Sequence, residues 1–455
     1  MPEPATSVLE AVRSAVDLAR QAGASECDAY SVAYDESSVT VRLGELEKLI
    51  EAGSHSLGLR VIHEGRTAVS STTDFSTSSL AALAESTVKL AEVAAPDNYA
   101  GLPHPDELAA PGGVNGLQLY DEALRSLGTD ERVALAGRCE AAALAADPRI
   151  TNTDGATFSS RVGEVALANS HGFAASYPAT STGLTVEVMA DDAGGKKRNA
   201  YWFSSGRFLH RLPEPEAVGL IAARRAVAQL GARKVPTRAV PVVFEPLMVT
   251  DLLRLLAGCL TGTALYRGAT FLAGREGAAV GSSLVSIRDD PRVPGRGGSR
   301  PFDAEGVETG PRELFQSGVF GEYLFDTYTA RRAGRRTTGS AGRDTGSLPA
   351  PGSSNLIWEP GSTPASSLTD GIEEGLLVTS LMGFGFNPTT GDFSRGAAGH
   401  WIKDGEIAFP VTEINISGKM QEMLGAVEAV GDDLTWFGSS AAPSVRIAEM
   451  MVSGK

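Results

Sequence analysis

Five short runs rich in β-branched and apolar residues follow one another between Cys27 and Thr72, each closed by a glycine or an acidic pair, and no helix accommodates that rhythm. The runs are Cys27 to Tyr34, Ser38 to Leu43, Leu46 to Ala52, Ser56 to His63 and Thr67 to Thr72. Asp35-Glu36, Gly44-Glu45, Gly53-Ser54 and Glu64-Gly65 separate them, so the segment predicts an antiparallel meander. Helical periodicity flanks it. Thr6 to Ala22 places Val8, Leu9, Val12, Val16, Leu18 and Ala19 on one stripe before the stop signal Gly23, and Ser76 to Ala95 is a second helix. After a Pro/Gly-rich connection from Pro96 to Gly116, a helix around Asp130 to Ala146 precedes strands over Arg149 to Ala190 and Ala200 to Ser205. A helix over Glu214 to Leu230 follows them. The stretches GELEKLIEAGSHSLGLRV and GEVALANSHGFAASYPAT share Gly-Glu and Ser-His, which hints at an internal duplication.

The run ARKVPTRAVP, Ala232 to Pro241, marks a boundary. The expected organisation is α+β in two domains: an N-terminal domain of antiparallel strands and flanking helices over 1–235, and a strand-rich, glycine-rich domain over 236–455. Exposed loops are expected at Asp289 to Arg300 and Arg335 to Gly352. With 40 basic against 55 acidic residues the net charge is −15, which opposes binding to nucleic acid or to anionic membranes. Cys27, Cys139 and Cys259 form no C-x-x-C pair and read as reduced thiols. The N-terminus lacks the pattern of a secretory signal, and no segment has the apolar length of a membrane span, so a cytoplasmic location is expected.

Val242 to Gly262, VVFEPLMVTDLLRLLAGCLTG, predicts a strand that leads through Pro246 into a leucine-rich helix closing near Gly258. Further blocks are SLGLRVIHEGRTAVSSTTDFS (Ser56 to Ser76), PFDAEGVETG (Pro301 to Gly310), SGVFGEYLFDTYTARRAG (Ser317 to Gly334), TTGSAGR (Thr337 to Arg343), SSNLIWEPG (Ser353 to Gly361), TTGDFSRGAAGHWIKDGEIAFPV (Thr389 to Val411) and APSVRIAEMMVSG (Ala442 to Gly454). Taken together and in this order, they resemble the TldD/TldE family, also called PmbA or modulator of gyrase, over nearly the whole chain. In the TldD half of that family the matching helix carries H-E-x-x-x-H. Aligned on Pro246, Leu252, Leu253 and Gly258, the resemblance puts those residues on Arg254, Leu255 and Cys259. An Arg does not ligate zinc and a Leu is no base. The resemblance also implies a third ligand, a cysteine in a glycine-rich loop ahead of the last strand; here that stretch is TWFGSSAAPSVRIAEM, without cysteine.

Other candidate chemistry is sparser. Asp303 and Glu305 in FDAEG share a face if extended, a pair suited to a cation or a peptide amine; otherwise they cap and solvate a turn at Gly306. Arg331 and Arg332 follow Asp326 and precede Arg335 and Arg336, a basic run able to grip a peptide carboxylate or an acidic partner, or else solvated surface. Asp392 and Phe393 sit where a turn enters a strand. These six residues, Asp303, Glu305, Asp326, Arg331, Asp392 and Phe393, are the candidates for substrate or interface contact. Cys259, at a helix end, is either a thiol of lowered pKa or a packed one. His63-Glu64 reads as a hairpin turn, and His55, His104, His171, His210 and His400 are isolated.

The resemblance implies a TldE/PmbA-type subunit with no metal of its own. It implies pairing, as a heterodimer, with a TldD-type subunit that holds zinc, the two enclosing a cavity in which an extended or unfolded peptide, a peptide precursor or a labile antitoxin is cut. Two other classes stay open: a stand-alone hydrolase with an unrecognised site, and a homo-oligomeric binding or regulatory protein.

Overall fold

A computed structural model describes residues 7–110 and 116–454. Thr6, the expected start of the first helix, and residues 111–115 of the Pro/Gly-rich connection lie outside the described residues. The first sheet and its helices comprise α1 (Val8–Gln21), β1 (Glu26–Arg42), β2 (Glu45–His63), β3 (Arg66–Thr72), α2 (Thr77–Val93), the short α3 (Glu122–Ser126), α4 (Thr129–Ala145), β4 (Ile150–Asn169), β5 (Ala174–Asp191), β6 (Lys197–Gly206) and α5 (Pro215–Val227). Its strands are antiparallel in the order β3-β2-β1-β4-β5-β6. Ser7 caps α1 through a reciprocal bond with Glu10, satisfying backbone donors that a helix start otherwise leaves open.

The meander thus has three strands and not five. Asp35 stands opposite Gly53 and Glu36 opposite Ala52, so the two breaks expected there face each other inside one continuous ladder. Polar residues and a glycine need no turn at that point, because β3 reaches only to Leu57 and the outer half of β2 is an exposed edge. The real turns are Leu43-Gly44 and Glu64-Gly65, each pair with positive φ, the two-residue geometry that suits the strand twist.

Residues of one parity, Cys27, Ala29, Val39 and Val41 on β1 with Ala156, Phe158, Ala166 and Ala168 on β4, face the helices. Helices α1 and α2 cover one end of that face and α4 and α5 the other. The order helix-strand-strand-strand-helix therefore occurs twice, about the β1–β4 pair. The letters that hinted at this do not superimpose equivalent positions: Gly44 lies in a turn, whereas Gly163 lies within β4 opposite Tyr34.

Beyond α5 the chain enters β7 (Arg238–Phe244) and α6 (Pro246–Cys259). Around α6 close two six-stranded sheets. One runs Glu406–Lys419, Asp392–Lys403, Glu374–Met382, β7, Val445–Ser453 and Val427–Val430; the other runs Val319–Phe320, Arg312–Gln316, Ile287–Asp289, Leu356–Trp358, Ser440–Ala442 and Thr435–Phe437. The apolar residues of α6 belong to one core with Val242, Phe244, Leu376 and Ile447 from the first of these sheets and Ile287, Phe315 and Trp358 from the second. A helix that is apolar on nearly every side is stable only when enclosed in this way. No helix among the described residues is long and apolar enough to cross a membrane.

Candidate functional site

Pro246 opens α6 at a position that needs no N–H donor. Glu245, just before it, takes a bidentate ion pair from Arg225 of α5, at 3.0 and 2.6 Å, tying the two halves of the chain together. Within α6 the three positions that would carry metal chemistry have other surroundings. Arg254 is exposed, donating to Asp251 one turn earlier at 2.7 Å and to the Thr250 carbonyl at 3.2 Å. Leu255 packs against the core. Cys259 is fully buried, its Sγ 3.7 Å from the Leu255 carbonyl, and burial pushes the thiol up to about 12. It is a packed residue and not an activated nucleophile. Arg254, Leu255 and Cys259 therefore do not fit a zinc ion: a cation, an apolar side chain and a protonated thiol offer no pair of imidazoles and no base. Helix α6 packs against the Thr435–Phe437 and Ser440–Ala442 strands, the region the resemblance aligns with the third ligand, and no cysteine, histidine or carboxylate lies between Thr435 and Ala442.

The second assembly lies on the face of the first sheet away from the helices. Asp28 of β1 and Arg60 of β2 are directly opposite each other, both buried. Arg60 Nε donates to Asp28 Oδ2 at 3.1 Å and its Nη1 donates to Glu305 Oε1 at 3.0 Å; Arg343 Nη1 donates to Asp28 Oδ1 at 2.8 Å. The other oxygen of Glu305 accepts the Thr327 N–H at 2.8 Å. Three segments far apart in sequence thus meet in one network of charge-assisted hydrogen bonds. Burial pushes the Asp28 carboxyl up, but Arg343 and Arg60 together hold it below the ordinary range. Gly58, in the same Gly-Leu-Arg block, allows the loop after Arg343 to seat, since a Cβ there would lie 1.7 Å from the Thr345 carbonyl. Arg60 and Arg343 lie inside the Ser56 to Ser76 and Thr337 to Arg343 blocks, where spacing gives neither a partner. Asp28, a carboxylate between the core positions Cys27 and Ala29, was the available signal.

Asp303, Glu305 and Asp326 come together here, but not on a strand face open to a ligand. Asp303 closes a turn, its Oδ1 accepting the Glu305 and Val307 N–H groups at 2.9 and 3.0 Å and its Oδ2 the Ala341 N–H at 2.9 Å. Turn capping is its role, without the solvation expected of it: both Asp303 and Glu305 are buried. Burial and the neighbouring Glu305 push Asp303 up to about 7. Asp326 caps the short helix Thr327–Arg332 through the Thr329 N–H at 2.9 Å, and burial followed by Glu305 raises it to about 6. Arg331 is not free for a carboxylate; its guanidinium is committed to the carbonyls of Tyr99 (3.4 Å) and Leu102. Asp392 and Phe393 lie elsewhere: Asp392 is exposed, accepting from Thr390, and Phe393 is buried in the α6 core. Among the described residues no group of three or more His, Cys, Asp or Glu side chains is arranged to hold a metal.

A raised carboxyl pKa makes the folded chain bind more protons than the unfolded chain, so its contribution is full below the unfolded value and is lost as pH rises through the folded one. Asp326→Asn, which keeps the cap acceptor, should therefore change stability little near pH 4 and increase it by roughly 1–3 kcal/mol at pH 8. Urea midpoints at the two pH values read this directly. A loss of stability at pH 8 would show that the ionised carboxylate is needed in place.

Sequence profiles of the PmbA/TldA metallopeptidases match the chain in three parts: domain 1 over residues 27–91, the central domain over 122–230 and the C-terminal domain over 237–454. Metalloprotease PmbA of Escherichia coli O157:H7 is 35% identical over 449 residues, covering 98% of this chain and 96% of that protein. The Metalloprotease PmbA homolog of Haemophilus influenzae is 35% identical over 448 residues, with the same coverage. A crystal structure from Bacteroides thetaiotaomicron, named a candidate modulator of DNA gyrase, superposes with a TM-score of 0.91 at 27% identity over 98% of each chain. TldE of Thermococcus kodakarensis shares the fold, with a TM-score of 0.87 at 21% identity over 98% of this chain and all of that one. With relatives 35% identical over 98% of its length and family profiles matching in all three parts, this chain belongs to the PmbA/TldD/TldE metallopeptidase family.

Proposed function

We propose that this chain is the non-catalytic, TldE/PmbA-type half of a two-chain zinc peptidase, forming part of the wall of a cavity in which a TldD-type partner cleaves extended or unfolded peptides. The observation that carries this reading is the state of α6. Where the resemblance places two imidazoles and a base, the helix holds a surface arginine tied to Asp251, a half-buried leucine packed against the core and a buried, protonated cysteine. Each has a structural task, so the helix serves as core. The TldD side of the family is more distant in sequence: the Metalloprotease TldD homolog of Haemophilus influenzae is 27% identical over 320 residues, 68% of this chain, and that organism also has the PmbA homolog described above. One organism thus holds both kinds of chain, as a two-subunit enzyme needs. Long antiparallel strands suit the task, because a peptide's backbone can add to a sheet without its sequence being read. The three cysteines are free and buried, in keeping with a reducing, cytoplasmic setting.

The purified chain should contain no stoichiometric zinc and should not hydrolyse unstructured peptides. Mixed with a TldD-type subunit it should copurify and give chelator-sensitive cleavage. About one zinc per chain, the content of an occupied site, or chelator-resistant turnover by the lone chain would reject the proposal in favour of a stand-alone hydrolase.

A further inference from the structure

Beside the buried charge network lies a cavity of about 140 Å³ lined by Tyr30, Tyr177, Arg300, Phe302, Asp303 and Arg343, among others. By volume it admits four or five waters at about 30 Å³ each, or one small ion. Arg343 is almost wholly buried, with 3% of its side chain exposed. Only its Nη1 is paired, to Asp28, while Nε and Nη2 have no acceptor among the described residues. Arg300 stands outside the ion-pair network, and its buried Nε also lacks an acceptor. The hydroxyls of Tyr30 and Tyr177 make no hydrogen bond to a described residue, and the Arg343 guanidinium lies 5.0 Å from the centre of the Tyr30 ring. Asp303, the carboxylate in the wall, feels the Arg300 charge, but its two oxygens already accept three backbone N–H groups. Arg207, close enough to Tyr177 to act on its phenol, adds a further positive charge satisfied by carbonyl oxygens alone.

Buried guanidinium N–H groups left without acceptors cost folding free energy, and here two arginines and two phenols line one small cavity, side chains that suit an oxyanion. We infer that this seam between the first sheet and the 300–307 and 341–346 loops is a binding site for one small oxyanion, a carboxylate or a phosphate, held between Arg300 and Arg343. Water could fill the volume but would make weaker bonds to the guanidinium N–H groups than an anion does. The site is independent of any partner and of peptide cleavage, so it stands or falls apart from the proposed function.

Calorimetric titration of the full chain with acetate, inorganic phosphate, dialanine as the free acid and dialanine amide tests it. At least one of acetate, phosphate and the free-acid dipeptide should give saturable one-site heat and the amide none. Arg300→Gln should weaken binding roughly tenfold or more, the scale of one charge-assisted hydrogen bond, and Tyr177→Phe severalfold. Binding of the free-acid peptide and acetate without phosphate would identify a chain-terminal carboxylate as the ligand, and binding of phosphate alone a free phosphate. Should Arg300→Gln fail to fold by near-ultraviolet circular dichroism, Tyr177→Phe, which removes one hydroxyl, carries the comparison. No saturable heat from any anion, or affinity unchanged in the folded variants, would overturn the site and leave it a water-filled seam.

Discussion

Arg60→Ala should destabilise this chain by about 3–5 kcal/mol, the cost of removing one partner from a buried ion network. Arg60 supplies two donors to Asp28 and one to Glu305, and all three side chains are buried. After its removal Asp28 keeps Arg343 and Glu305 keeps the Thr327 N–H, but the Glu305 charge loses its counter-ion. The penalty is therefore an uncompensated charge more than a lost bond. Adding Glu305→Gln to Arg60→Ala should accordingly recover part of the loss, since a glutamine can still accept from Thr327 without carrying the charge. Arg42→Ala is the contrast. Its pair with Glu47 spans 3.3 Å between side chains 38% and 46% exposed, and removing it should cost less than about 1 kcal/mol. Urea unfolding monitored by two probes measures all four proteins and checks whether one transition describes them. A loss below about 1 kcal/mol for Arg60→Ala would mean that solvent or rearrangement compensates the Glu305 charge.

The network shows why some of this molecule was legible in its sequence and some was not. Local periodicity located α1, α2, α4, α5 and α6, because amphipathic or leucine-rich spacing, caps and stop glycines are properties of neighbouring residues. The five-strand reading failed at Asp35-Glu36 and Gly53-Ser54 because those pairs face each other across a hairpin, and cross-strand register is not a local quantity. The Asp303-Glu305 pair illustrates the same limit. Two carboxylates two residues apart look like a ligand pair, but Glu305 meets an arginine 245 positions away and Asp303 bonds the backbone of Ala341. Long-range partners turned a candidate cation site into a junction. For Arg254, Leu255 and Cys259 the residue types alone argued against metal binding, and the structure adds what each residue does in its place.

Placing histidine at 254, glutamate at 255 and histidine at 259 together should yield no peptidase and should cost several kcal/mol of stability. Arg254→His contributes least, since the pair it breaks with Asp251 is largely exposed. Leu255→Glu removes apolar contact with the α6 core and brings a carboxylate to that surface. Cys259→His is the severe step: the thiol is 0% exposed and its sulfur lies 3.7 Å from the Leu255 carbonyl and 4.0 Å from that of Pro388. An imidazole there overpacks the site, at about 1–3 kcal/mol. The neighbouring strands Thr435–Phe437 and Ser440–Ala442 offer no third donor, and nothing nearby is arranged to orient the new imidazoles. Thermal midpoint, zinc content after dialysis and peptide cleavage, all measured without a partner, test the expectation. Tight zinc binding with chelator-sensitive cleavage would show that α6 still presents a preorganised metal scaffold, and the assignment of catalysis to a second subunit would then lose its main support.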